Sequence, residues 1–169
     1  MLIYWIYSKL QSEDYLMKMK KIALGLLSIS LVGGAAAAQF KPEDAIKFRQ
    51  SAYTTMAWNM SRIKANVKGT YNKDEVIKAA NVIQAIANSG LGTLYMPGTD
   101  KGRGWVETRV KSESFIDTEG VEEVAVTFNK EANEIAKVAA TGDVAAVNAQ
   151  FDKLGKSCKG CHDKYRVDE

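Results

Sequence analysis

Proline is scarce in this chain, at two residues in 169, and no stretch alternates apolar and polar residues as a half-buried strand would. Both facts argue against a β-rich fold and leave room for long helices. Histidine occurs once and cysteine twice, too few for a four-ligand structural zinc site. No run of five or more like charges is present, and the formal net charge is only +3. That balance gives no electrostatic case for nucleic acid or for an anionic membrane surface. There is no internal repeat and no low-complexity linker. What is present is ordinary for a globular chain: 46% hydrophobic and 25% charged residues, and length enough for one domain with its own core.

The N-terminal segment reads as a leader. Lys18, Lys20 and Lys21 form a short basic region, Ile22 to Val32 is apolar, and Gly33-Gly34 leads into Ala35 to Ala38. A positive start, a short apolar stretch and a small-residue end are the three parts of a secretory signal. The apolar stretch is too short to span a bilayer. Ala36-Ala37-Ala38 fits the small-x-small rule, so cleavage is expected between Ala38 and Gln39, with no cysteine after the cut for a lipid anchor. Residues before Met17 match no part of a signal, which points to a translation start at Met17 or Met19. The division is then 1–38 leader and 39–169 mature domain, with no membrane span in the mature chain. Lys9, Lys18, Lys20 and Lys21 carry most of the basic excess, so the mature chain is near neutral.

Four helices are expected in 39–169. The first opens at Pro42, a favoured first helical residue, with Glu43 and Asp44 at the positive helix end, and runs to Lys68 before Gly69. The second has Asn72 as N-cap with Glu75 three residues on, carries Val76, Ala80, Ile83 and Ala87 at helical spacing, and stops by Gly90. Gly90, Gly92, Gly98, Gly102, Gly104 and Pro97 exclude a regular helix from 90 to 104. A third helix falls within Ser112 to Ala140, with Val121, Val124, Phe128, Ile135 and Val138 as its stripe. Gly120 and Thr118 obscure where it begins. Thr141-Gly142-Asp143 is a stop followed by an N-cap, and the fourth helix shows Val144, Val147, Phe151, Leu154, Cys158, Cys161 and Tyr165 on one broad face. Trp58 and Trp105 read as packing residues. The expected fold is all-α, an antiparallel up-down-up-down four-helix bundle.

Both cysteines and the only histidine fall within Cys158-Lys159-Gly160-Cys161-His162. This is the attachment pattern of c-type haem. Cysteines three apart on a helix project to one side and can add to the two vinyl groups of a porphyrin, while the next imidazole reaches the iron. A thioredoxin-like pair would need a strand-loop-helix setting. A disulfide over so short a loop would stabilise little. Export supports the haem reading, because c-type haem is attached outside the cytoplasmic membrane. The sequence thus predicts one covalent haem c held by Cys158 and Cys161, with His162 as axial ligand, in a chain located in the periplasm.

A bundle with this motif close to the C-terminus resembles cytochrome c′, the class II c-type cytochromes. The resemblance covers the mature chain and rests on Gln39 to Ala45 with Arg49-Gln50-Ser51-Ala52, on Pro97-Gly98-Thr99, and on Cys158 to Arg166. It implies that Arg49 and Gln50 hold a haem propionate and that Tyr53 shields the distal iron face. It also implies that Arg166 stands beside the proximal histidine, and that Tyr95 and Met96 are loop contacts to haem. A tyrosine at position 53 departs from the apolar residue that many relatives carry there. On spacing alone, Arg49 reads as a solvated charge. At roughly 100° per residue, Arg49, Tyr53, Met56 and Met60 fall within about 60° of one another, which also describes an ordinary core face.

The sixth coordination position stays open at this point. Bis-histidine ligation is excluded by the single histidine, while Met56, Met60 or Met96 could serve, and Tyr53 could in principle bind iron. The Arg49 to Tyr53 pattern resembles the five-coordinate members of that family, which implies an empty, high-spin site. The resemblance then implies binding of nitric oxide and carbon monoxide, electron exchange with an unidentified redox partner protein, and a homodimer. The alternative is a low-spin, Met-ligated electron carrier. A peroxidase would want a distal acid-base group for which no second histidine exists, so an enzyme is not expected. Intact mass or N-terminal sequencing of the exported protein should give Gln39, or its cyclised form, as the first residue. A mature chain that retains residues 1–38 would refute the leader assignment.

Overall fold

The computed structural model describes residues 41–167. The leader 1–38, the cleavage point and the Gln39-Phe40 part of the family pattern lie outside the described residues. Four helices form the domain: α1 (Pro42–Lys68), α2 (Lys73–Ala87), α3 (Thr118–Thr141) and α4 (Val144–Tyr165). Among the described residues there is no strand, only two isolated bridges, Arg103 with Glu107 and Val110 with Arg166. Short links join α1 to α2 and α3 to α4, so each pair is antiparallel. Close packing runs from α1 to α2, α2 to α3 and α3 to α4, while α1 and α4 touch each other less. The all-α up-down-up-down bundle is as the sequence predicts.

Local chemistry explains the boundaries. Asn72 caps α2 by accepting from the Glu75 amide at 3.2 Å. Asp143 caps α4 by accepting from Ala146 N at 3.0 Å, directly after Gly142 takes the left-handed conformation (φ 79°) that ends α3. The obscured start of α3 is Thr118. Its N-cap is Asp117, whose Oδ1 accepts from Gly120 N at 3.0 Å. Gly120 is there for space, since a Cβ would collide with the Asp117 carboxylate and the Tyr165 hydroxyl. α2 ends at Ala87, three residues before Gly90, which instead sits in the left-handed region at the start of a 3-10 turn over Leu91–Leu94.

The core joins all four helices through Ile63, Val76, Ile83, Ile135, Val147 and Leu154, with Ala79, Ala80, Ala132 and Ala139 between them. Small buried residues let the helices approach closely. α2 is the short member. At about 1.5 Å per residue it extends roughly 22 Å, against roughly 40 Å for α1. Beyond Ala87 the bundle is continued by α1, α3, α4 and the irregular chain 88–117, which includes a second 3-10 turn at Ser112–Phe115. The expected α3 stripe is accordingly split. Ile135 is fully buried beside α2, while Val121, Val124 and Phe128 are half-buried.

Trp58 and Trp105 do not pack inside as expected. They are 60% and 66% exposed. Each is held at the surface by one specific contact: the Arg62 guanidinium stands 5.1 Å from the Trp58 ring centre, and Trp105 Nε1 donates to Ser51 Oγ at 2.9 Å. Among the described residues no helix is long and apolar enough to cross a membrane. Ile135→Ala should cost about 3 kcal/mol of unfolding free energy through the cavity it leaves. Val126→Ala, at an exposed position of the same helix, should stay within about 0.5 kcal/mol. Urea denaturation of both variants checks this.

Candidate haem site

The last two turns of α4 carry Cys158, Cys161, His162 and Tyr165, with Arg166 at the C-cap. Helical spacing sets the two thiols on one side, and both are free and half-buried. This end of α4 is pinned by backbone pairing to the preceding loop. Lys111 N donates to Tyr165 O at 2.9 Å and Val167 N to Arg109 O at 2.8 Å, around the Val110–Arg166 bridge. The buried Tyr165 adds a side-chain tie, donating to Asp117 Oδ2 at 2.6 Å. That bond lowers the Asp117 carboxyl below its usual range and pushes the Tyr165 phenol up to about 12.

Burial raises the pKa of both thiols, with Ser157 opposing at Cys158 and the Arg166 cation opposing at Cys161. Both cysteines stand inside α4 rather than at a strand-loop-helix junction, so the setting of a thioredoxin-like pair is not present here. His162 is shifted down, first by burial and then by the Arg166 cation, which favours the neutral imidazole that ligates metals. Arg166 Nη1 lies 3.5 Å from His162 Nε2. Arg166 Nε is buried without a hydrogen-bond partner. An orphaned buried donor beside a would-be ligand marks a place completed by a group from outside the chain.

On α1, Arg49 is buried to 3% exposure. Its Nη1 donates to Leu94 O at 3.2 Å and Thr99 Oγ1 at 3.0 Å. Its Nη2 donates to Thr99 O at 2.8 Å and Thr108 Oγ1 at 3.0 Å. Burial lowers its pKa, with partial relief from Tyr95 and Tyr53. Gln50 Nε2 donates to Val106 O at 2.9 Å, and its Oε1 accepts from Trp105 N at 2.7 Å. Gly104 permits that approach, because a Cβ there would meet Gln50 Oε1 at 2.6 Å and the Lys47 amide at 2.9 Å. Arg49 and Gln50, to which the resemblance assigns a haem propionate, spend these hydrogen bonds on the chain itself. Their polar atoms clamp the 94–108 loop onto α1, because a buried guanidinium must find acceptors for its donors. No signal in the sequence pairs position 49 with positions 94, 99 and 108.

Tyr53 is one turn further along α1. It is 38% exposed, and burial is the main cause that raises its phenol pKa, with the Tyr95 hydroxyl next. Its Oη meets Tyr95 Oη at 3.0 Å. Both phenols lie within electrostatic reach of Cys161, so the loop, α1 and the end of α4 converge there. Met96 is half-buried, and its carbonyl accepts from Thr99 Oγ1 at 2.8 Å. Met56 belongs to the buried core cluster, with Met60 packed against it.

A helical bundle with paired thiols and an imidazole at the end of its last helix defines a c-type cytochrome of the four-helix class. The model of the cytochrome c′ family matches residues 44–166, and the chain belongs to that family. It is 62% identical over 127 residues to the cytochrome c′ of Rhodocyclus tenuis, covering 75% of this chain and 96% of the relative. A solved cytochrome c′ described as having an unusual ligand-controlled dimer dissociation superposes with TM-score 0.75 at 53% identity, covering 78% of this chain and all of that one. A mutant of cytochrome c prime from Alcaligenes xylosoxidans in its nitric oxide complex superposes at 0.68 and 30% identity, covering 76% of this chain and 98% of that one.

The family carries one covalent haem c, and the residues present fit it. The donor set is two thiols one turn apart, an adjacent imidazole held neutral, and the unpartnered Arg166 Nε. Among the described residues no cluster of three or more His, Cys, Asp or Glu could hold a metal ion instead. The mature protein should therefore keep its haem through denaturation and acid-acetone extraction, and Cys158→Ala or Cys161→Ala should impair maturation. Haem passing into the organic phase from the wild type would contradict covalent attachment.

Proposed function

We propose that this chain is a periplasmic monohaem cytochrome c′ that binds nitric oxide and carbon monoxide at an open axial position and can exchange an electron, without acting as an enzyme. Buffering or detoxification of nitric oxide is the benefit this implies. The observation that carries the reading is the division of labour along α1. Tyr53 lies within electrostatic reach of Cys161, while Met56, one turn on, is packed into the apolar core. A thioether held among core residues is a poor candidate for the sixth ligand. A bound haem supplies an iron that takes small diatomic ligands and cycles between two oxidation states.

The chain's residues do the rest. Cys158 and Cys161 would tether the group, and His162 would ligate its iron. Arg166, with Nη1 3.5 Å from His162 Nε2, covers the proximal side. Tyr53 crowds the distal side. Small neutral diatomics need little room there, whereas larger or anionic ligands meet a crowded, desolvated face. The relative solved as a nitric oxide complex supports this choice of ligand. A homodimer is supported by the exposed Trp58 and Trp105, large aromatic surfaces of the kind that interfaces cover, and by the relative whose dimer dissociates under ligand control.

The ferrous protein should be high-spin and bind carbon monoxide and nitric oxide. Tyr53→Ala should make carbon monoxide bind faster and more tightly, because bulk is removed and bound carbon monoxide is a poor hydrogen-bond acceptor. Met56→Leu should leave the resting optical spectrum almost unchanged. A low-spin spectrum that Met56→Leu converts to high-spin would replace this reading by the Met-ligated electron carrier.

A further inference from the structure

We infer that Tyr95 is a positioning residue for ligand entry: its hydroxyl latches the Tyr53 phenol in the closed position, and a ligand must break that latch to bind. The inference rests on the reading of Tyr53 as the distal residue and goes beyond it. Tyr53 belongs to α1, whereas Tyr95 belongs to the loop that follows α2. Their hydroxyl oxygens are 3.0 Å apart. When an incoming ligand displaces the Tyr53 ring, Tyr95 cannot follow. Its ring is held under the Arg49 guanidinium, 4.7 Å from Cζ to the ring centre, and against Phe115 at 6.3 Å between centroids. Its amide donates to Gly92 O at 3.1 Å, within a loop already bolted to α1 by the four Arg49 bonds and by Gln50. Tyr95 is therefore the fixed partner of the pair. Displacement breaks the bond rather than carrying it along. Any ligand that displaces Tyr53 must break the latch, whereas the bulk of Tyr53 discriminates among ligands by size.

The test is a double-mutant cycle on the haem-loaded protein with Tyr95→Phe, Tyr53→Phe and the pair. Both substitutions keep the rings, including the stack of residue 95 on Arg49 and Phe115. Each single variant should bind carbon monoxide about two- to tenfold more tightly, the range expected for one neutral hydrogen bond. The double variant should gain no more than either single one. The resting spectrum should not change. In urea denaturation, the shifts in midpoint should be non-additive for the carbon monoxide-free protein and additive for the carbon monoxide-bound protein. A merely structural Tyr95 would instead couple equally in both. Unchanged carbon monoxide binding in Tyr95→Phe, alongside acceleration in Tyr53→Ala, would overturn the latch and leave the distal reading standing. Additive gains in the two single variants would also overturn it. No acceleration in Tyr53→Ala would bring down the distal reading, and the latch with it.

Discussion

The buried guanidinium of Arg49 is the constraint on which the functional end of the molecule depends. A cation taken out of water is costly unless its donors are met. Among the described residues no carboxylate is hydrogen-bonded to Arg49. Two carbonyls and two hydroxyls of the loop accept from it, while the face of Tyr95 offers its negative quadrupole to the charge. Several of the loop's large apolar residues, Trp105, Val106 and Ile116, stay exposed, and the loop follows the path that brings Leu94, Thr99 and Thr108 to one point. Tyr95 is placed by the same requirement. The position of Tyr53 is thereby coupled to a charge one turn earlier on its own helix, through residues more than forty positions away.

The opposite wall is organised by desolvation rather than by a charge. At the end of α4, burial raises the pKa of the free thiols and lowers that of the imidazole. A lowered imidazole pKa favours the neutral ring, which keeps a lone pair for a metal. Arg166 works in the same direction on His162. The Tyr165–Asp117 bond reaches further, since the carboxylate that receives this hydroxyl also caps α3. One side chain therefore fixes the start of one helix and the last turn of another, which holds the wall at a set separation from α3.

Local signals in the sequence were enough for most of the bundle. Pro42, Asn72, Gly142 and Asp143 act through neighbours one to three residues away, so spacing alone reveals them. Asp117 acts the same way, but Thr118 and Gly120 mask it, because that glycine answers to Tyr165, forty-five residues on in the chain. Cys158, Cys161 and His162 were legible because the chemistry demands adjacency. Arg49 was placed by resemblance, and its partners were not, because a side chain that bonds across the fold leaves no periodic trace. The tryptophans misled for a simpler reason: indoles are usually buried, and an arginine stack or a serine acceptor can hold one at the surface.

α2 stops halfway along the bundle, and that has an evolutionary consequence. A full-length second helix would have filled the same volume with side chains locked in register to three neighbours, so that any change would strain the whole core. An irregular chain bolted at a few polar points can be rewritten residue by residue while the three long helices stay where they are. Selection can thus adjust how readily the cleft admits its guests by editing 88–117, and leave untouched the helix that bears the attachment motif. On the function proposed above, ligand access and cofactor retention become separately heritable traits, which a bundle of four equal helices would not permit.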